Sequence, residues 1–87
     1  MTEESRYKSS ESLPTLRLPR SRFSFVTEFR LRSDGSIERR SVHDDGREVK
    51  DVLGQWQIIE PSGIEMSRRA IPLFDEWLKS LNWTPPT

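Results

Sequence analysis

Residues 23–32 constrain the fold of this chain most strongly, because apolar and polar side chains alternate along them. The large apolar residues share one parity: Phe23, Phe25, Phe29 and Leu31. Charged and polar residues share the other parity: Ser24, Glu28, Arg30 and Arg32. A period of two is typical of a β-strand with one buried face, and aromatic content favours the same structure. The sequence therefore predicts a strand here, with order beginning near Arg22.

A hairpin is predicted directly after this strand, because Asp34-Gly35 lies between two strand-like runs. A two-residue loop would place Leu31 opposite Glu38, with charge on the apolar face. A three-residue loop with Gly35 in the left-handed conformation places Leu31 opposite Ile37 instead. On the other face it aligns two pairs of opposite charge, each favourable by about 0.2–1 kcal/mol: Glu28 with Arg40, and Arg30 with Glu38. We therefore predict the three-residue loop and a second strand at residues 36–42.

Two further strands are predicted beyond the hairpin. Residues 52–59 form the third strand, and residues 64–66 form a short fourth strand after a proline- and glycine-containing turn. An alternative interpretation starts a helix at a capping box in residues 62–65. Pro72 counts against this alternative, because a proline well inside a helix removes a hydrogen bond and kinks the helix.

A closing helix is predicted from near Ser67, because apolar residues recur at helical spacing: Ala70, Ile71, Phe74, Trp77, Leu78 and Leu81. Asn82 is a suitable C-terminal stop. We expect this helix to pack on four residues of the strands: Phe25, Phe29, Trp56 and Ile58. The predicted fold class is α+β, a small antiparallel meander of three or four strands packed against one C-terminal helix.

One small domain is predicted at residues 22–83 of the 87-residue chain, with a tail at residues 84–87. Residues 1–21 are predicted to be a flexible, disordered arm, because Pro14 and Pro19 interrupt an already polar stretch. Such a stretch buries too little apolar surface to offset about 1–2 kcal/mol of backbone ordering per residue. The leucines of this arm are its candidate contacts for a partner: Leu13, Leu16 and Leu18.

The composition excludes several classes of function. Fourteen Lys and Arg residues balance fourteen Asp and Glu residues, which argues against a generally basic nucleic-acid binder. The absence of cysteine excludes disulfide frameworks, thiolate catalysis and zinc fingers. No apolar run reaches the roughly 20 residues that span a bilayer, and the acidic N-terminus is not a secretory signal. We therefore expect a soluble cytoplasmic protein without membrane contacts.

His43 is the only histidine, and it lies beside Asp44 and Asp45 in a predicted turn. A metal site needs three or four converging ligands, and no second histidine or cysteine is present to supply them. The scattered glycines form no phosphate-binding pattern. The sequence therefore predicts no metal, no cofactor and no catalytic activity.

Arginine is the most informative residue type, since eleven of the fourteen basic residues are arginine. Its guanidinium binds carboxylates and phosphates in two-point contacts and stacks on aromatic rings. We expect an exposed, arginine-rich sheet face lined by four residues: Arg30, Arg32, Arg40 and Arg47. Trp83 lies beyond the helix stop, where it is either an exposed binding anchor or a lid over the open edge of the core.

These features predict a non-catalytic protein-binding module, such as an adaptor, an accessory subunit or an inhibitor. Its partner would be another protein with an acidic surface, contacted by the arginine-rich face and the N-terminal arm. Nucleic-acid binding through the same arginines is the alternative, although Glu28 and Glu38 interrupt that face and stacking aromatics are missing from it. A third hypothesis is small-ligand binding by a dimer, because four strands are too few to enclose a ligand alone.

Overall fold

A computed structural model describes residues 13–19 and 24–86, which fold into one antiparallel sheet and two helices of the α+β class. The sheet has the order β1-β2-β3-β4, with the bounds Thr15–Arg17, Phe25–Leu31, Ile37–His43 and Gln57–Ile58. A 3-10 turn at Val52–Gly54 precedes β4. The helices follow β4: α1 is Pro61–Ala70 and α2 is Pro72–Ser80. Neither helix is long and apolar enough to cross a membrane, and the described residues contain no other helix that is.

The β2–β3 hairpin has the predicted register. Leu31 lies opposite Ile37, and the loop between the strands places Gly35 at a φ of 90°, which glycine adopts without a steric penalty. Asp34 accepts hydrogen bonds from the hydroxyl and the amide of Ser36, and these bonds lower the pKa of the Asp34 carboxyl. The loop that the charge pairs favoured is therefore confirmed.

Strand β1 lies inside the segment that the sequence predicts to be an unpacked arm. Leu16 lies opposite Phe29, and both Leu16 and Leu18 pack against the core. The prediction is corrected for residues 15–17, because so short a strand is stabilised by pairing with β2 and by core contacts, which are distant in sequence. The remainder of the predicted arm, residues 1–12 and 20–21, lies outside the described residues, as do residues 22, 23 and 87.

Two helices stand where the sequence predicted one helix and a fourth strand. Ile71 is extended, with φ −127° and ψ 95°, as a residue before proline favours. Pro72 therefore occupies the first turn of α2, where its missing amide hydrogen is harmless. Residues 64–66 belong to α1, which begins at Pro61, so the alternative interpretation of this segment was closer to the structure.

The predicted third strand is also corrected, since only Gln57–Ile58 of residues 52–59 joins the sheet. A Cβ atom on Gly54 would lie 1.9 Å from the carbonyl oxygen of Val49, so the chain passes too close for any side chain there. Ile58 pairs with Glu38, which places it on the sheet face away from the helices, where it is 57% exposed. Trp56 lies on that same face, not in the predicted contact with the helix.

The core lies between the two helices and one end of the sheet. Its buried members come from both layers: Phe29, Ile37, Ile64, Phe74 and Leu78. The rings of Phe29 and Phe74 are 4.3 Å apart between centroids, as the predicted packing of helix on sheet requires. Phe25 has the parity of Phe29 but is 39% exposed, because it lies beyond the part of the sheet that the helices cover. The helix-side face of the sheet is therefore half covered and half open.

Candidate functional site

Two of the predicted binding arginines, Arg30 and Arg40, stack on one tryptophan. The Cζ atoms of Arg30 and Arg40 lie 4.1 Å and 4.5 Å from the centroid of the Trp56 ring. Both distances are within the range of a cation–π contact. We call this group the arginine–tryptophan stack. It lies on the sheet face away from the helices, because Arg30 and Arg40 have the opposite parity to Phe29 and Ile37, which pack against the helices.

Each arginine of the stack is also paired with a glutamate, as the register predicts. Arg30 Nε donates to Glu38 Oε1 at 2.6 Å, and Arg40 Nε donates to Glu28 Oε1 at 3.0 Å. Glu38 is only 6% exposed, so its charge depends on this partner. Two positive and two negative charges cancel within the stack, and the Nε donor of each guanidinium is engaged by a glutamate. The stack therefore offers an acidic partner less than two unpaired arginines would.

The other two predicted arginines lie at opposite ends of the sheet. Arg32 follows β2 at the hairpin loop, with its Nε 4.0 Å from Asp34. Arg47 lies in the turn after β3, and its Nε is 2.7 Å from an oxygen of Asp45. The amide and side chain of Arg47 hydrogen-bond to that carboxyl, and they lower the pKa of Asp45. The four arginines therefore do not converge on one surface.

Trp83 is half buried and ties the chain beyond α2 to the β2–β3 hairpin. Its indole Nε1 donates to the carbonyl of Gly35 at 2.8 Å, and the ring packs against the core. Asn82 supplies the predicted helix stop, with a φ of 53°, and the Trp83 amide then donates to Leu78. Of the two roles that the sequence allowed for Trp83, a binding anchor or a lid over the core, this placement corresponds to the lid.

An open, mixed surface lies on the half of the helix-side face that the helices leave uncovered. We call it the open sheet face, and it consists of five residues of β2 and β3: Phe25, Thr27, Arg39, Ser41 and His43. Their register is fixed by direct pairing, Phe25 with His43 and Thr27 with Ser41. The next pair along the strands is Phe29 with Arg39, where the cover of the helices begins.

Arg39 is the notable residue of the open sheet face. It is exposed, and within residues 13–19 and 24–86 its side chain has neither an ion pair nor a hydrogen bond. It borders a depression of about 180 Å³, whose other walls include Thr27, Ser41, Leu53 and Gln57. A guanidinium beside hydroxyl and amide groups is suited to a carboxylate or phosphate.

Sequence reasoning missed Arg39, because its parity assigns it to the buried face opposite Phe29. A signal was present in the consecutive pair Arg39-Arg40, since neighbours on a strand point to opposite faces. One arginine of such a pair must lie on the helix side of the sheet. Only the extent of the helices decides whether that position is buried.

The far end of the open sheet face is aromatic. The rings of Phe25 and His43 meet edge to face, with 5.1 Å between their centroids. Among the described residues, no three His, Asp or Glu side chains are grouped so that they could hold a metal ion. His43 contacts Phe25 through its ring and lies directly before Asp44 and Asp45 in the chain.

Comparison with known proteins gave no match to this chain: no family model, no curated protein and no solved structure matches it.

Proposed function

We propose that this protein is a non-catalytic protein-binding module, such as an adaptor, accessory subunit or inhibitor, whose partner carries acidic side chains. The observation that supports the proposal is the state of Arg39, an exposed guanidinium without an internal partner among the described residues. Arginine at the edge of a depression is a residue type that dominates binding energy in protein interfaces.

The binding surface of this proposal is the open sheet face, not the face with the arginine–tryptophan stack. Arg30 and Arg40 are engaged by Trp56 and by glutamates, so a partner would have to break existing contacts to reach them. A partner could bind Arg39 without breaking such contacts. Leu53, which is 53% exposed, adds apolar area at the rim of the depression. A cytoplasmic location is part of the proposal, since a chain without cysteine needs no oxidising compartment.

Nucleic-acid binding is the second candidate, and Phe25 is the observation that favours it. An exposed aromatic ring on a sheet, with an arginine on the same face, resembles the stacking surfaces that hold single-stranded bases. The number of cations on this face counts against it, because Arg39 is the only arginine or lysine of the open sheet face that could neutralise a phosphate. We therefore rank protein binding first.

The test is affinity capture from nuclease-treated native lysate with three forms of the protein. The wild type is compared with Arg39→Glu and with Arg69→Glu, a control in α1 that is also exposed and without an ion pair among the described residues. We expect proteins retained by the wild type and by Arg69→Glu to be lost from Arg39→Glu. Equal retention by all three forms would contradict the proposal. Retention that disappears with nuclease and with rising salt would favour the second candidate.

A further inference from the structure

The open sheet face arranges its chemistry in three successive rows along β2 and β3. Arg39 occupies the row nearest the helices, the hydroxyls of Thr27 and Ser41 occupy the middle row, and the pair Phe25–His43 occupies the last. Arg39 and His43 are on one strand, four positions apart, and a strand rises about 3.3 Å per residue. The cationic and aromatic ends are therefore separated by about 13 Å.

We propose that the open sheet face binds an extended segment of a partner protein in which an acidic and an aromatic side chain are four residues apart. This inference rests on the proposed function and specifies the ligand of the same surface. An extended peptide has the same rise as β3, so residues i and i+4 lie on one side of it with the spacing of Arg39 and His43. The carboxylate meets Arg39, and the ring meets Phe25.

Each row supplies a contact of a different kind. The guanidinium of Arg39 has all its donors available for a carboxylate, and Leu53 forms an apolar wall beside it. Thr27 and Ser41 are half buried, and their hydroxyls can donate to or accept from the main chain of the peptide between its two anchors. The edge-to-face contact of Phe25 with His43 leaves Phe25 39% exposed, which provides area for a third ring.

The position of Arg39 gives the segment a polarity and favours a protein over a nucleic acid. At the aromatic end the charges are mixed: Asp45 is paired with Arg47, and the Arg17 guanidinium donates to the main-chain carbonyls of His43 and Asp44. A carboxylate is therefore attracted to the Arg39 end of the open sheet face. A nucleic acid carries a phosphate at every residue, whereas Arg39 is the only arginine or lysine of the open sheet face.

The test uses capped twelve-residue peptides in a Gly/Ser background, each with one Glu and one Phe, in both chain orders. Spacing four is compared with spacing three, which places the two side chains on opposite sides of an extended chain. Fluorescence anisotropy should show spacing four binding at least about tenfold more tightly than spacing three, about 1.4 kcal/mol. Arg39→Gln should remove that preference, and Arg69→Gln should leave it unchanged.

Three results would overturn this inference: equal affinity for both spacings, the same affinity in Arg39→Gln, or no binding of any peptide at millimolar concentration. Tighter binding of a twelve-nucleotide oligothymidine than of the best peptide would also overturn it, in favour of nucleic acid. The proposed function fails separately. If lysate capture depends on Arg39 while spacing has no effect, the protein-binding function stands and only the ligand is wrong.

Discussion

Arg39 and Arg40 are neighbours in the chain, but they lie on opposite faces of β3 and their surroundings give them opposite roles. Arg40 is held by Glu28 and by the ring of Trp56. Arg39 has no internal partner among the described residues. A substitution with the same change of charge should therefore damage the fold at one position and binding at the other.

We expect Arg40→Glu to destabilise the domain by about 1–3 kcal/mol. The substitution removes an ion pair and a cation–π contact, and it adds a second carboxylate beside Glu28. Arg39→Glu should change the free energy of unfolding by no more than about 0.5 kcal/mol. Urea unfolding followed by tryptophan fluorescence measures both variants. Equal stability of Arg40→Glu and the wild type would show that the stack contributes nothing to folding.

The register of the hairpin was predictable at the level of residues, whereas the environment of Trp56 was not. Opposite charges and matching apolar residues lie close in sequence, so they select one loop length locally. The parity of Trp56 correctly groups it with Ile58, but parity does not state which face of the sheet the helices cover. That choice depends on the pairing of Ile58 with Glu38.

At the scale of elements, β1 shows why a prediction based on composition can miss a short strand. Its three residues sit between two prolines, and they gain order from pairing with β2 and from the core contact of Leu16. Residues 64–66 were wrongly predicted as a strand for a different reason: a run of three residues is compatible with a strand or with the first turns of a helix. Pro72 ended one helix and began the next, instead of excluding the first.

Leu16→Ala should lower the free energy of unfolding by about 1–2 kcal/mol, because the side chain is half buried against the core. Thr15→Ala in the same strand is the matched control, since Thr15 is exposed. Chemical denaturation compares the two. If Leu16→Ala is as stable as Thr15→Ala, the strand does not contribute to the core.

Asp75 of α2 connects the two helices through Arg68 of α1, so we expect the stability of this joint to depend on pH. Its carboxylate accepts a hydrogen bond from Arg68 at 2.6 Å and pairs with Lys79 at 3.1 Å, and these contacts lower the pKa of Asp75 below its usual 3.8. A lowered pKa in the folded state stabilises the protein above about pH 4, and this contribution is lost as the pH falls through the folded pKa.

Asp75→Asn should therefore lower the Tm by a few degrees at pH 7, and the difference from the wild type should disappear as the pH falls through the lowered pKa of the folded state. Glu76→Gln is the control, because Glu76 is exposed and has no ion pair among the described residues. Thermal unfolding by circular dichroism across this pH range gives both curves. A difference between Asp75→Asn and the wild type that is the same at every pH would assign the effect to packing.

At the scale of the whole molecule, different groups lie on the two faces of the sheet. The helices and Trp83 cover one end of one face, and the arginine–tryptophan stack lies on the other face. On the helix-side face, the part left open among the described residues contains Phe25 and Arg39. Composition alone could not locate this opening, because the opening depends on how far two short helices reach along the strands.

Trp83→Phe should lower the free energy of unfolding by about 1 kcal/mol, since it removes the hydrogen bond to Gly35 but keeps an aromatic ring. Trp83→Ala should cost about 2–4 kcal/mol through lost packing against the core. Urea unfolding measures the free energy of unfolding of both variants. An unchanged stability of Trp83→Ala, combined with weaker partner capture, would identify Trp83 as a binding anchor instead of a lid.

The most direct measurement is an NMR titration of the ¹⁵N-labelled protein with the peptide that carries Glu and Phe at spacing four. We expect the amide signals of Phe25, Arg39 and Ser41 to move together, because they belong to the open sheet face. The indole N–H signal of Trp56 should stay in place, since the stack lies on the opposite face. Movement of the Trp56 signal while that of Arg39 stays fixed would contradict the assignment of the binding surface.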